Sequence, residues 1–476
     1  VSLDERLREA PAVARSAAAL EGVDAWVVGG AVREGLLDRP VSDLDIAVAG
    51  GEDNAARAIS QALDGHAFAL SERFGTWRVA APGLGVDVTR LRADGIEADL
   101  GARDFTVNAM AVPLAAAAAG SAEAELIDPN EGRADLGARL LRAVSPSTFE
   151  DDPLRVIRAA RFTAALGMEL EDGTRESARR MATRAGEPAG ERQLAELGAI
   201  MAGPDPVRGL EVLDRLGATP AILPELDALR GVEQNPYHHL DVHGHTMEVL
   251  ERMLSVENDL GAYVDDPAAV EGVLDEQLAD GLSRRAALRF GALFHDLGKP
   301  ETRSVNEEGR VLFLGHDRAG ARIAGEIAQR LRASRRLRGY LERISLEHLR
   351  LGFLVHERPL SRRAVFEYLD ATDPDAIDIT LLTVADRLAT QGAKTRPEAI
   401  QAHLDLSREM IGEALAWRES GAPRPPIRGD ELAAELGIEP GPELGRLLRE
   451  LAAAAFAGEA TTREQAVAIA RDKLGG

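Results

Sequence analysis

Two aspartates one residue apart, Asp43 and Asp45, follow two adjacent glycines, Gly29 and Gly30, in the stretch VVGGAVREGLLDRPVSDLDIAV from Val27 to Val48. The residues around the aspartates have strand composition. A strand repeats every two residues, so both carboxylates point to one side. Hard divalent ions take oxygen ligands, and Mg2+ commonly uses one or two carboxylates together with substrate phosphates. Adjacent glycines let a backbone approach a phosphate chain closely. Arg33, one helical turn beyond them, is placed to grip phosphate oxygens. Asp87, in GVDVTR, is a candidate third carboxylate on a later strand. A lone D-x-D or Gly-Gly is usually chemically silent. The order strand, Gly-Gly, helix, D-x-D strand is informative because one fold can aim all its parts at one phosphate chain.

A second set of such residues lies downstream, in NPYHHLDVHGHTMEVL, RFGALFHDLGKPETR, FLGHDRAG, GFLVHERP and LLTVADRLA. Apolar periodicity places each on or beside a helix. The chain has no cysteine, so any metal must use Asp, Glu or His. Imidazole and carboxylate suit Mg2+, Mn2+, Fe or Ni, and a metal-bound water there attacks phosphate esters. A third feature is Asp152 and Arg155, read as i and i+3 on one helix face. One accepts hydrogen bonds and the other donates several, a combination that complements a cytosine or adenine edge. The plain alternative is a surface ion pair worth about a few tenths of a kcal/mol.

The elements that must position these groups are legible from pattern. DAWVVGG reads as a strand ending in a glycine turn, AVREGLL as a short helix, and LDIAVA, GTWRVA and GVDVTRL as strands. A helix from about 55 to 63 separates the early strands, and the mixed unit ends near Val112. The alanine run after it reads as helix or slack loop. From Asp151 onward the chain is mainly helical, with a Pro/Gly-rich joint at 419–431 and a small helical tail. The acidic stretch 257–280 reads as loop or solvated helix. The 476 residues give room for several cores, and no run of about 18 apolar residues predicts a membrane span. No secretory signal is visible, so a cytoplasmic protein is expected. The net charge of -23 argues against a nucleic-acid partner, but binding answers to local field. Residues 139–192 carry ten Arg against nine acids, and 315–350 carry nine against four.

GGAVREGLL…DLDIAV resembles the head signature of bacterial class II tRNA nucleotidyltransferases and poly(A) polymerases, within the DNA polymerase beta superfamily. RFGTWRV, VDVTRLR, ARDFTVNAM, LIDPNEGRADL and FEDDPLRVIRAARFTAALGMEL follow in the family's order and cover 22–170 almost continuously. The resemblance implies an α+β protein: a polymerase-beta-like nucleotidyltransferase head at 1–145, then all-helical domains. These are a helical neck and base-reading, RNA-binding domain at 146–230, an HD domain at 231–415 and a tRNA-binding segment at 420–476. It implies that Asp43 and Asp45 are catalytic Mg2+ ligands and that Gly29, Gly30 and Arg33 lie along the triphosphate. Arg103, Asp104 and Asn108 would contact the sugar and order the site. Asp152 and Arg155 would read the incoming base, and Arg158 and Arg161 would face the nucleotide or its phosphates. Departures from the pattern are Glu34 where Asp is usual, Ala102 where the family doubles the arginine, and Gln193 and Ala199 in the neck sequence.

The histidine-rich set resembles the HD phosphohydrolase domain. By that resemblance His295 and Asp296 are the namesake pair, His245 the first ligand with His243 as the fallback, and Asp386 the terminal aspartate. Lys299 would contact phosphate, and His316 and His356 would bring a second metal. The metal there is an unidentified divalent ion (Mg, Mn, Ni or Fe). The implied activity is Mg2+-dependent addition of C, C and A to the 3' end of tRNA from CTP and ATP. The HD domain would be either an RNA-end phosphohydrolase or a retained scaffold. Arg428, Arg446 and Arg463 are candidate tRNA-backbone contacts. No membrane association and no obligate protein partner are expected. The alternatives are a poly(A) polymerase or partial CC- or A-adding enzyme, an HD hydrolase whose head only binds nucleotides, and a non-catalytic RNA-binding scaffold.

Overall fold

A six-stranded sheet carries the paired aspartates. The computed structural model of the chain describes residues 2–71 and 75–475, so Arg73 and Phe74 of RFGTWRV lie outside the described residues. The strands are β1 (Ala25–Val28), β2 (Asp43–Val48), β3 (His66–Ser71), β4 (Thr76–Ala81), β5 (Leu84–Arg90) and β6 (Ala111–Pro113). They lie in the order β3-β4-β5-β2-β1-β6. β2 and β5 run parallel and the other neighbours antiparallel. Leu44, Ile46, Val48, Val86 and Val88 point into one core with residues of the helices Leu3–Glu9, Pro11–Ala19, Glu52–Ala62 and Leu114–Ala119. The alanine run is therefore helix, ended by Gly120 in the left-handed region. Fully burying a side chain such as Ile46 contributes about 1.5–3 kcal/mol. A one-residue slip of β2 would exchange those apolar side chains for Asp43 and Asp45, so packing of one face fixes the acids on the other.

Two compact units divide the chain: Val1–Pro188 with Gly203–Ala221, and Ala189–Ala202 with Ile222–Gly476. In the first unit the short helix Thr148–Asp151 precedes the helix Arg155–Leu166. Asp152 between them is extended, at φ -151 and ψ 100. This corrects the shared helix face expected for Asp152 and Arg155. Pro153 disfavours helical backbone at the residue before it, so the two residues flank a break.

The second unit is helical around Val242–Asn258, Arg284–Phe294, His316–Arg330, Arg335–Glu347 and Ala376–Ala389. The helix Gly190–Ala202 belongs to it because Arg289 donates to the Met201 carbonyl at 2.6 Å and to Glu257 at 2.6 Å. The stretch 257–280 is more ordered than its charge suggested. Glu257 is buried against Arg289, Pro267–Leu274 is a helix, and Gln277–Ala279 pairs with Leu282–Ser283. The last helices, Gly429–Leu436, Pro442–Phe456 and Arg463–Gly475, share a small core of their own, including Leu432, Leu447, Leu451 and Ala466.

Candidate active site and metal centre

The parallel register sets Asp45 opposite Asp87, and Asp43 opposite Gly85, so Asp43, Asp45 and Asp87 share the face opposite the core. Asp43 is 75% exposed. Burial first, then the Asp87 charge, pushes the Asp45 carboxyl up to about 6, against the pull of Arg103. Burial raises Asp87 as well, with Arg78 opposing. Asp87 Oδ1 is buried without a hydrogen-bond partner. Three acids held together with an orphaned oxygen fit a divalent cation, which supplies the missing positive charge.

The glycine turn meets this cluster. Gly29 has φ 66, and a Cβ on it would stand 3.2 Å from Arg103 Nη1 and 3.6 Å from Asp45 Oδ2. Gly30 likewise faces Asp45 Oδ2 and Arg33 Nη2. Beyond the turn, a chain of polar contacts ties three segments together. Glu34 holds Arg33 at 2.7 Å, Arg33 donates to Asn108 Oδ1, and Asn108 Nδ2 donates to Asp104 Oδ1 at 3.2 Å. Asp104 Oδ2 accepts from Arg158 Nη2 at 2.6 Å and Nε at 2.8 Å. Burial alone would raise Asp104, but the Arg158 charge and hydrogen bonds, with the Phe105 amide and Asn108, hold its carboxyl down to about 2. Arg33, Arg158 and Arg161 surround the Phe162 ring at 5.2, 5.3 and 4.3 Å from its centroid. Arg103 is fixed by Asp99 at 2.9 Å. Arg155 donates to the carbonyls of Thr148 and Ala102 at 3.2 and 3.0 Å.

In the second unit, five helices bring the histidine cluster together. His245 lies on Val242–Asn258, His295 caps Arg284–Phe294, His316 opens His316–Arg330, His348 caps Arg335–Glu347, and Asp386 lies on Ala376–Ala389. Two triads emerge, His245–His295–Asp296 and Asp296–His316–His348, sharing the buried Asp296. Asp296 Oδ2 lies 3.1 Å from His295 Nε2, 3.8 Å from His245 Nε2 and 2.6 Å from Lys299 Nζ. Its Oδ1 lies 3.4 Å from His316 Nε2 and 3.8 Å from His348 Nε2. Asp386 Oδ1 is 3.0 Å from His245 Nε2.

The Nδ1 atoms of His295, His316 and His348 face the carbonyls of Ala292, Phe313 and Ser345 at 2.8, 2.7 and 2.6 Å. A proton donated there leaves each Nε2 lone pair for a cation. His295 Nε2 and Asp296 Oδ2 are buried and make no hydrogen bond at acceptable angles. The residues present therefore fit a divalent metal. Burial, then the His295 charge, lowers His348 to about 4, which keeps it neutral and ready to ligate. Burial opposes the charged Asp296, but His295 and Lys299 outweigh it and hold the carboxyl well below the usual range. Gly298 is required here: a Cβ on it would fall 2.2 Å from the His316 carbonyl, so only glycine lets the His295–Asp296 turn and the His316 helix meet.

Three family models match the chain: the poly A polymerase head domain over 25–142, the probable RNA and SrmB-binding site of polymerase A over 167–230, and the HD domain over 242–391. An A-adding tRNA nucleotidyltransferase of Deinococcus radiodurans is 35% identical over 94% of each chain. The chain belongs to the CCA-adding and poly(A) polymerase family of nucleotidyltransferases. A CC-adding tRNA nucleotidyltransferase of Thermus thermophilus is 33% identical over 94% of this chain and 93% of the relative. A multifunctional CCA protein of Halorhodospira halophila is 33% identical over 73% of this chain and 79% of the relative. The structure of a CCA-adding enzyme with CTP superposes with a TM-score of 0.59 at 20% identity, over 100% of this chain and 99% of that one, which shows the shared fold.

Within this nucleotidyltransferase the head residues expected from sequence converge on two adjoining places. Asp43, Asp45, Asp87, Gly29, Gly30 and Arg103 meet at the carboxylates. Arg33, Asn108, Asp104, Arg158 and Arg161 meet around Phe162. The neck residues Gln193 and Glu196 are buried in Gly190–Ala202. Lys299 pairs with Asp296 and donates to Gln234 Oε1 at 2.7 Å. His243 stays outside the cluster, beside Arg230, so His245 is the histidine brought in.

His356 is corrected. It lies exposed on the short helical turn Val355–Glu357, and His348 takes the expected place. His348 continues the buried stripe Leu337, Leu341, Ile344 at helical spacing, and that periodicity is the signal that could have found it. Phe162, Asp99 and Gln234 were also missed, because each acts through packing or a partner distant in sequence. In the C-terminal segment, Arg428 pairs with Asp430 at 3.2 Å, Arg463 with Glu435 at 3.2 Å, and Arg446 donates to the Lys473 carbonyl at 3.4 Å.

Proposed function

We propose that this nucleotidyltransferase extends the 3' end of tRNA with CMP and AMP from CTP and ATP, in full form completing C, C and A. The observation that carries the reading is the shared face of Asp43, Asp45 and Asp87 against the Gly29–Gly30 turn. The tRNA 3'-hydroxyl attacks the α-phosphorus, the bond to the β-phosphate oxygen breaks, and pyrophosphate leaves. Mg2+ ions held by Asp43 and Asp45 would lower the hydroxyl pKa and offset charge on the leaving group. Asp87 stands where it can join those ligands or accept the hydroxyl proton. Arg33 and Arg103 present positive charge beside the glycine turn. Asp104 holds Arg158, and with Asn108 it fixes the wall around Phe162 on which a nucleotide base packs. Asp152 and Arg155 stand at the break before Arg155–Leu166 and read the base edge from there.

A narrower product is the second reading. Relatives that match over 94% of this chain are named A-adding and CC-adding enzymes. Incubating tRNA lacking its last three nucleotides, and tRNA ending in CC, with CTP alone, ATP alone and both, then sequencing the products, tests both readings. Full addition gives CC with CTP and CCA with both. A CC-adding enzyme stops at CC, and an A-adding enzyme requires a CC end. A run of A on any RNA end would instead mark a poly(A) polymerase.

For the HD site we propose metal-dependent hydrolysis of a phosphate ester at an RNA end, either a 2',3'-cyclic phosphate or a phosphomonoester. The two triads sharing Asp296 support it, and Lys299 is placed for the phosphate. Loss of cyclic-phosphate opening or of phosphate release from a monoester on changing Asp296, with incorporation retained, tests it. We also propose the four-segment division at 1–145, 146–230, 231–415 and 420–476, with the last segment on the tRNA backbone through Arg428, Arg446 and Arg463. Among the described residues no helix is long and apolar enough to cross a membrane.

A further inference from the structure

The face that carries the carboxylates does not end at Asp87. The registers of β2, β5, β4 and β3 place Asp45, Asp87, Arg78 and Phe68 in one cross-strand row. Paired residues on neighbouring strands share a face, and strands lie about 4.8 Å apart, so this row spans about 14 Å. Arg78 Nη1 is 3.5 Å from Asp87 Oδ2, and Nη2 is 3.6 Å from Asp43 Oδ1. At those separations charge holds the guanidinium rather than short hydrogen bonds, so it can turn to another anion. Its reach to Asp43 crosses Gly85, where a Cβ would stand 2.8 Å from Arg78 Nη2 and 3.0 Å from Asp43 Oδ1. The missing side chain keeps the path open. At the end of the row Phe68, on the edge strand, leaves 46% of its surface exposed. An edge strand ordinarily carries charge there, and an aromatic is a stacking platform instead.

We infer that Arg78 and Phe68 form the subsite for the end of the acceptor RNA, an inference that rests on the transfer reaction proposed above. The 3'-hydroxyl lies at the carboxylates. Arg78 takes the phosphate on the 5' side of the terminal nucleotide, and Phe68 stacks the base upstream of it. With no substrate bound, Arg78 balances the acids. Once positive charge from elsewhere satisfies Asp43 and Asp87, the guanidinium is released to the RNA phosphate. The row therefore orders the reaction: the acceptor end is gripped most strongly after the carboxylates are loaded.

The test uses the full chain with Mg2+, a non-hydrolysable CTP analogue and tRNA lacking its last three nucleotides, followed by fluorescence anisotropy across about 50–200 mM salt, and with CTP and ATP by steady-state extension. Arg78→Ala should weaken RNA binding about tenfold and reduce the slope of log affinity against log salt by about 0.7, the share of one single-strand phosphate. The KM for CTP and ATP should hold. Arg78→Lys should keep the wild-type slope. Phe68→Ala should weaken binding about fivefold to tenfold at an unchanged slope, and Phe68→Trp should restore it. Unchanged RNA affinity and slope in Arg78→Ala, with effects confined to Mg2+ dependence or thermal stability, would overturn the subsite and leave Arg78 a charge balance only. A wild-type protein that extends neither this tRNA nor one ending in CC would remove the transfer reading itself. Wild-type extension with indifferent variants removes only the subsite.

Discussion

The head and the HD cluster both gather acids for cations, but they handle the charge in opposite ways. In the head, three carboxylates face one another with arginines only at the margin, and Asp45 is forced up to about 6. In the HD cluster, Asp296 and Asp386 are surrounded by imidazoles and Lys299 and are held well below the usual carboxylate range. The head is electrostatically incomplete without cations, as suits ions that arrive with a triphosphate and leave with pyrophosphate. The HD cluster carries its own countercharge and three imidazoles fixed by backbone carbonyls, as suits a resident ion.

The strongest way to break this comparison is to change one acid of the head. Asp45→Asn should lower incorporation about 10^3-fold or more, because several kcal/mol of transition-state stabilisation leave with the ligand. The same variant should stabilise the substrate-free protein. The folded carboxyl, at about 6, binds its proton more tightly than the unfolded one, near 3.8. Its penalty is therefore absent below pH 3.8 and complete above about 6. At pH 7 the gain should be about 1–3 kcal/mol in chemical denaturation, and at pH 3.5 it should vanish. Stabilisation that did not depend on pH would contradict the electrostatic account.

In the HD cluster the sign reverses. Asp296→Asn leaves Lys299 without its anionic partner and should cost about 3–5 kcal/mol, together with loss of bound metal by elemental analysis. His348→Ala should lower metal content while His356→Ala leaves it unchanged. The opposite pattern would return His356 to the site.

A smaller effect concerns the chain behind the head carboxylates. Arg158→Ala should cost about 2–3 kcal/mol, less than a fully buried pair because Arg158 is partly exposed. Asp104 at about 2 lies below its ordinary 3.8, so the pair's stabilisation is full above pH 3.8 and is lost as pH falls through 2. The wild-type advantage over Arg158→Ala should shrink along that limb in acid denaturation.

The head acids were legible because a strand's period of two leaves no freedom: once Leu44, Ile46 and Val48 are buried, Asp43 and Asp45 must share the other face. His295, Asp296 and His316 were reached through the resemblance of HDLGKPETR and GHDRAG to the HD domain, because apolar periodicity alone only placed them on or beside helices. What failed was a helical period carried across Pro153, which separates Asp152 from Arg155. His348 was passed over because no motif includes it, and only its place on a buried stripe marks it. Arg78 was invisible because its role comes from strand pairing across sequence, from Asp43 to Asp87.

The most direct measurement crosses the two sites. Asp45→Asn and Asp296→Asn, each shown to be folded by circular dichroism, are assayed side by side for extension of tRNA lacking its last three nucleotides and for tightly bound divalent metal. The account predicts that the first variant loses extension and keeps its metal, while the second loses metal and keeps extension. Extension that survives Asp45→Asn, or disappears only with Asp296→Asn, would contradict it.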